Sequence, residues 1–219
     1  MIELTGYRDK HEYVNKHGVK SVVYLMDCMD AMAQMGEKEF SLACVDPPFG
    51  IDAAKMQRGN SRIKPDKTKN WDNQPPTRDY FDAVFKVSEN QIIWGGNYFE
   101  LPPSQYFAIW DKGETMYGRD FAEAEFAWVR SGGTRIFKCG PNQNDRIHVC
   151  QKPIALYDWI FHNYAKPNDT IFDSHLGSGS SRIAADKHNL PFLGTETDDD
   201  YFRDHCKRFD RYTAQLTLF

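Results

Sequence analysis

Two stretches of this 219-residue chain carry residue types whose spacing could do chemistry. The first is CVDPPFG, residues 44–50. An apolar run, Ser41 to Val45, ends on Asp46, and Pro47, Pro48 and Phe49 follow. Proline fixes its own φ and has no N–H to donate. It also pushes the residue before it, here Asp46, out of the helical region. The expected product is a stiff, extended turn at the end of a buried strand. It offers a carboxylate, backbone carbonyls that no proline N–H can satisfy, and one aromatic ring.

The second stretch is DTIFDSHLGSGSSRIAADKHNLPFLGTETDDDYF, residues 169–202. A strand is expected to end at Asp173. The small-residue turn Gly177-Ser178-Gly179-Ser180 opens a helix, and a second strand ends on Glu196, 23 residues after Asp173. Strand, glycine turn, helix, strand and acid form the nucleotide-binding half-unit of a doubly wound sheet. There the glycines let backbone approach the ligand and the acid takes ribose hydroxyls. No lysine follows the glycines and the full GxGxxG is absent. An adenosine ligand without a pyrophosphate, such as S-adenosylmethionine, fits best.

These residues need elements to hold them. Short apolar runs bounded by turn signals predict strands at 21–26, 41–45, 91–94, 106–110, 125–129, 170–172 and 191–195. Helical periodicity predicts helices at about 78–89, 153–165, 179–189 and 198–214. The alternation predicts an α/β fold with a mostly parallel sheet covered on both faces. The three closely spaced strands after residue 91 predict an antiparallel hairpin at one edge. Residues 50–76 and 130–150 are long irregular segments, a length associated with function or disorder.

Composition limits the remaining options. At 41% hydrophobic and 14% aromatic residues, the chain can bury a full core. No run approaches the roughly 20 apolar residues of a membrane span, and the polar N-terminus has no signal-peptide core. Five cysteines without a CxxC pair predict a reducing, cytoplasmic setting. Cys139, His148 and Cys150 lack a fourth ligand, so no metal is expected. Net charge is −4, yet residues 55–69 carry a local balance of +5 from Lys55, Arg58, Arg62, Lys64, Lys67 and Lys69 against one aspartate.

DPPF, the segment QKPIALYDWIFHNYAKPNDTIFDSHLGSGSSRIAA and FLGTETDDDYF, in this order, resemble the amino-group DNA methyltransferases of the β class. WGGNYF at 94–99 is similar to the segment that follows the catalytic strand in that family. The resemblance spans about residues 21–205. It implies a Rossmann-like S-adenosylmethionine-dependent fold, circularly permuted, in one methyltransferase domain over 1–219. A mobile loop is expected at about 50–76 and a small target-recognition segment at about 111–150.

By the same resemblance, Asp46, Pro47, Pro48 and Phe49 are catalytic. Asp46 and the Pro47 carbonyl would accept the two hydrogens of an exocyclic base amine, and Phe49 would stack on the flipped base. Asp173, Ser174, His175, Leu176, Gly177, Ser178 and Gly179 would line the cofactor, with Glu196 on the ribose and Asp27 on the adenine. Lys152 and Pro153 match the QKP element beside the methionine moiety. Asp173-Ser174-His175 departs from the family's usual D-P-F, and His148-Val149-Cys150 from its usual H-P-T. The basic run, with Arg119, Arg135 and Lys138, would grip double-stranded DNA. Arg130, Arg146, Asn142, Gln143 and Asn144 also lie in the recognition segment, and the small size of that segment predicts a homodimer. Asp46 points to N6 of adenine. The alternatives are N4 of cytosine, an RNA adenine substrate, or an inactive binding subunit.

Overall fold

The computed structural model describes residues 2–53, 71–120, 122–141 and 145–216. Nine strands form one sheet: β1 (Asp9–Val14), β2 (Lys20–Leu25), β3 (Phe40–Val45), β4 (Ser88–Trp94), β5 (Tyr106–Asp111), β6 (Ala124–Val129), β7 (Arg135–Lys138), β8 (Ile171–Asp173) and β9 (Phe192–Glu196). Their order is β1-β2-β9-β8-β3-β4-β6-β5-β7. The block β2-β9-β8-β3-β4 is parallel throughout. β6 runs antiparallel to both β4 and β5. The predicted antiparallel pair is therefore present, but it is not the sheet edge: β7 continues the sheet, parallel to β5.

The central strands are apolar on both sides, as a sheet covered on both faces requires. Val23, Leu25, Leu42, Cys44, Ile92 and Trp94 face one core, which they share with residues of α3 (Ile154–Tyr164) and α4 (Ser180–Lys187) and with Phe202 of α5 (Asp199–Leu216). Val22, Tyr24, Ala43, Val45 and Ile93 alternate with them and face the other core. That core holds Ala31 and Met32 of α1 (Cys28–Met32) and Tyr80, Phe81 and Val84 of α2 (Arg78–Val87). This is the period-two alternation of a strand. Among the described residues no helix is long and apolar enough to cross a membrane.

Candidate active site

The topology sets four acids side by side. Asp27, Glu196, Asp173 and Asp46 stand at or just beyond the carboxyl ends of β2, β9, β8 and β3, which are neighbours and all parallel. Open α/β sheets bind ligands at this edge. β5 runs in the same direction as β3, and β6 runs opposite, so the end of β5 and the start of β6 meet the same edge.

At the end of β3, the chain after the two prolines is clamped. Buried Asp72 accepts the N–H groups of Phe49 (2.6 Å), Gly50 (3.0 Å) and Ala53 (2.8 Å). The Phe49 ring stacks on Tyr98 with centroids 5.0 Å apart and planes at 13°. It fits there because residue 95 is glycine. Gly95 has φ +72°, and a Cβ on it would lie 2.2 Å from the Phe49 ring. This gives WGGNYF a physical role. Phe49 is thus covered on one face, and Tyr98, 48% exposed, presents ring surface to solvent.

Asp46 is held by a cation. The Lys152 ammonium donates to Asp46 Oδ2 at 2.5 Å, and the two side chains are 4% and 19% exposed. Lys152 also meets Glu125 Oε2 at 3.2 Å, and Lys112 meets Glu125 Oε1 at 2.8 Å. The ammonium lies 5.3 Å from the Trp94 ring centroid and 5.6 Å from that of Phe49. Four charges therefore alternate in sign: Asp46, Lys152, Glu125, Lys112. Asp46 Oδ1 is buried and finds no hydrogen-bond partner among the described residues. An unsatisfied buried acceptor costs about 1–3 kcal/mol. Burial raises the Asp46 carboxyl above its ordinary range; Lys152 opposes this and Glu125 adds to it. Burial also pushes Glu125 up, but Lys152 and Lys112 outweigh it and hold it at about 2.

The glycine turn is satisfied differently. Asp173 accepts the Ser181 hydroxyl at 2.5 Å and the His175 N–H at 3.1 Å. Burial raises its carboxyl to about 7. Glu196 accepts three backbone N–H groups, from Gly177, Thr197 and Asp198, at 2.8–2.9 Å. Asp27 Oδ1 caps α1, accepting from Met29 at 2.7 Å. Leu176 is buried and donates its N–H to the Thr195 carbonyl.

Ser174 and His175, where the sequence departs from the family pattern, tie the turn to α2. Tyr80 Oη is 2.7 Å from Ser174 Oγ, which is 2.9 Å from His175 Nδ1. Burial lowers His175 to about 4. Gly179, expected to line the cofactor, has another task as well. At φ +70°, a Cβ on it would lie 2.1 Å from the His205 ring of α5. Arg208 of the same helix fixes the Ser178 carbonyl at 2.8 Å. Pro153 serves as the N-cap residue of α3.

Sequence reasoning missed several neighbours. Glu125 and Lys112 join the Asp46–Lys152 pair, and Tyr98 joins Phe49, only through the sheet. Trp71 and Tyr201 pack on His148, with centroids 5.2 and 4.2 Å away, and the His148 ring is 3.8 Å from where a Cβ on Gly177 would be. Trp71 Nε1 is buried without a partner among the described residues. Among the expected DNA contacts, Lys138 ends β7 on the Asp46 edge and pairs with Glu114 at 2.8 Å. Arg135 starts that strand, away from this edge, and Arg119 is exposed between β5 and β6. Lys55, Arg58, Arg62, Lys64, Lys67, Lys69, Asn142, Gln143 and Asn144 lie outside the described residues.

A profile of the family described as DNA methylase matches residues 55–207, more than half of the chain. The chain belongs to this family. The match takes in Lys152, the glycine turn and Glu196, and Asp46 to Phe49 precede it. YubD of Escherichia coli (strain K12), which its name marks as a candidate methylase, is 21% identical over 199 residues, 81% of this chain and 85% of YubD. The fold is shared with several solved structures. The crystal structure of M1.HpyAVI with SAM aligns at a TM-score of 0.57 and 16% identity, covering 86% of this chain and 98% of that one. The cytosine-N4-specific PvuII DNA methyltransferase aligns at 0.58 and 11%, covering 90% and 92%. TTHA0409 of Thermus thermophilus, complexed with S-adenosyl-L-methionine, aligns at 0.53 and 16%, covering 87% and 93%.

Proposed function

We propose that this DNA methylase transfers a methyl group from S-adenosylmethionine to the N6 amine of adenine in duplex DNA, with the base flipped from the stack. The observation that carries the reading is the buried Oδ1 of Asp46, which has no hydrogen-bond partner among the described residues, one strand away from Asp173. The donor set fits the cofactor. Asp173, Glu196 and Asp27 would take ribose and adenine donors, since a carboxylate oxygen that already accepts one hydrogen bond keeps a second lone pair. Trp71 Nε1 adds a buried donor with no partner among the described residues, on the His148 ring beside Gly177.

When bound, the cofactor supplies a sulfonium methyl and leaves as a neutral thioether. The chain's own part is to present the nucleophile. An exocyclic amine is a poor one because its lone pair is delocalised into the ring. Asp46 Oδ1 and the Pro47 carbonyl would accept its two hydrogens, localise the lone pair and aim it. This is preorganised electrostatics and positioning, with no covalent intermediate. The nitrogen gains a bond to carbon and then has one proton too many. Asp46, its carboxyl raised by burial, is placed to hold that proton until water removes it. Tyr98 offers a second aromatic surface beside Phe49 for the flipped base.

The whole chain acts as one methyltransferase domain in this reading, and the catalytic element precedes the cofactor element by circular permutation. Parallel pairing of β2 with β9 supports it, because an early strand continues the sheet where the last one ends. The test is nucleoside mass spectrometry of plasmid DNA incubated with the purified chain and methyl-labelled S-adenosylmethionine. Labelled N6-methyladenine is expected. N4-methylcytosine alone would overturn the choice of base, and no labelled nucleoside would overturn the reading.

A further inference from the structure

We propose that Glu125, fixed by Lys112, is a positioning residue that draws Lys152 partly away from Asp46 and so keeps Asp46 a strong acceptor for the substrate amine. The inference rests on the reading of Asp46 given above. Glu125 follows Ala124 at the amino end of β6, and Lys112 follows the last residue of β5. The two are brought together by the register that sets Asp111 opposite Ala124 and Trp110 opposite Glu125. Neither residue is near Asp46 in sequence.

The reason is electrostatic. An ammonium bonded to Asp46 alone would neutralise the carboxylate and weaken it as an acceptor. Lys152 instead divides its donors between Asp46 Oδ2 at 2.5 Å and Glu125 Oε2 at 3.2 Å. Lys112 at 2.8 Å takes the other oxygen, Glu125 Oε1, and so limits how far Glu125 draws Lys152 from Asp46. The geometry leaves Asp46 Oδ1 without a partner among the described residues, with Lys152 on the other oxygen. Other groups also face Asp46. They are Cys44 of β3, Asp72 in the clamp, Tyr80 of α2, Tyr157 of α3 and Asp173 of β8. Burial keeps Cys44, Tyr80 and Tyr157 neutral. Asp173 titrates near 7, so its charge must be separated from the effect.

The test follows the Asp46 carboxyl carbon by NMR against pH in the cofactor-free protein. The signal is assigned by its loss in Asp46→Asn, and the titration is repeated in an Asp173→Asn background. Glu125→Gln should move the Asp46 midpoint to lower pH, because the ammonium then falls wholly to Asp46. Lys112→Met should move it to higher pH, because Glu125 then keeps only Lys152 among these cations and draws it further from Asp46. Methyl transfer at neutral pH by Glu125→Gln should fall by about tenfold, and Glu125→Asp should restore part of it. A merely structural role would not shift the midpoint in opposite directions. An unmoved midpoint in either variant, or shifts of the same sign, would overturn the proposal. If the wild-type chain moves no methyl group, the proposed function falls, while the titration still decides whether Glu125 tunes Asp46.

Discussion

The two ends of the candidate site are both buried and acidic, yet they treat their carboxylates in opposite ways. In the glycine turn, Glu196 takes three backbone N–H groups, and Asp173 takes a hydroxyl and an N–H. At the end of β3, Asp46 has one oxygen on Lys152 and the other on nothing among the described residues. The first arrangement fixes a shape, since carboxylates held by backbone also hold the backbone. The second stores an unmet demand for a hydrogen-bond donor, which the folded chain tolerates at a cost of about 1–3 kcal/mol. A cradle for a cofactor needs the former, and a centre that must grip an incoming amine needs the latter.

The sharpest way to break this contrast is to remove the cation. Lys152→Met strands buried Asp46 and leaves Glu125 to Lys112 alone, and breaking one partner out of a buried pair costs about 3–5 kcal/mol. The melting temperature should fall by many degrees and methyl transfer should be lost. A variant as stable as the wild type would mean that the ammonium does not hold the site together.

The glycine turn should answer to pH. Asp173 has a folded value of about 7, above the ordinary carboxylate range. A carboxyl raised on folding gives stability that is complete below the unfolded value and is lost as pH climbs through the folded one. The contribution of Asp173 to wild-type stability should therefore fall between about pH 4 and 7. Asp173→Asn mimics the protonated acid and should gain relative to wild type over that window, by up to ~4 kcal/mol above pH 7. Urea unfolding at a series of pH values checks the difference. A gap that does not change with pH would contradict it. Smaller again, Glu196→Ala should weaken S-adenosylmethionine binding by about ten- to a hundredfold, or ~1.5–3 kcal/mol. Calorimetry with unchanged affinity would remove Glu196 from the cofactor site.

Much of this was legible in the chain itself because the central strands are plain apolar runs, and strands 21–26, 41–45 and 191–195 were placed by them. DPPF and the glycine turn marked the ends of two strands, and the sheet makes those strands neighbours. Three elements carried no such signal. β1, DKHEYV, is an edge strand with one neighbour and mostly polar residues. β7 is four residues, largely exposed, after a Gly-Gly turn. α1 is five residues long and is capped by Asp27, an acid read only as a ligand. The charge chain behind Asp46 was invisible for a different reason. Glu125 and Lys112 are ordinary surface-type residues in sequence, and only the pairing of β5 with β6 sets Lys112 on Glu125 and Glu125 beside Lys152. The covered face of Phe49 likewise depends on Gly95, whose missing Cβ makes room for the ring.

One paired measurement addresses directly the Asp46 oxygen that has no partner among the described residues. Single-turnover transfer of a labelled methyl group to duplex DNA is followed for the wild type and Asp46→Ala, with S-adenosylmethionine affinity measured on the same samples by calorimetry. The variant should lose transfer by more than about a thousandfold while binding the cofactor within a few-fold of the wild type. Transfer at the wild-type rate by Asp46→Ala would contradict the account.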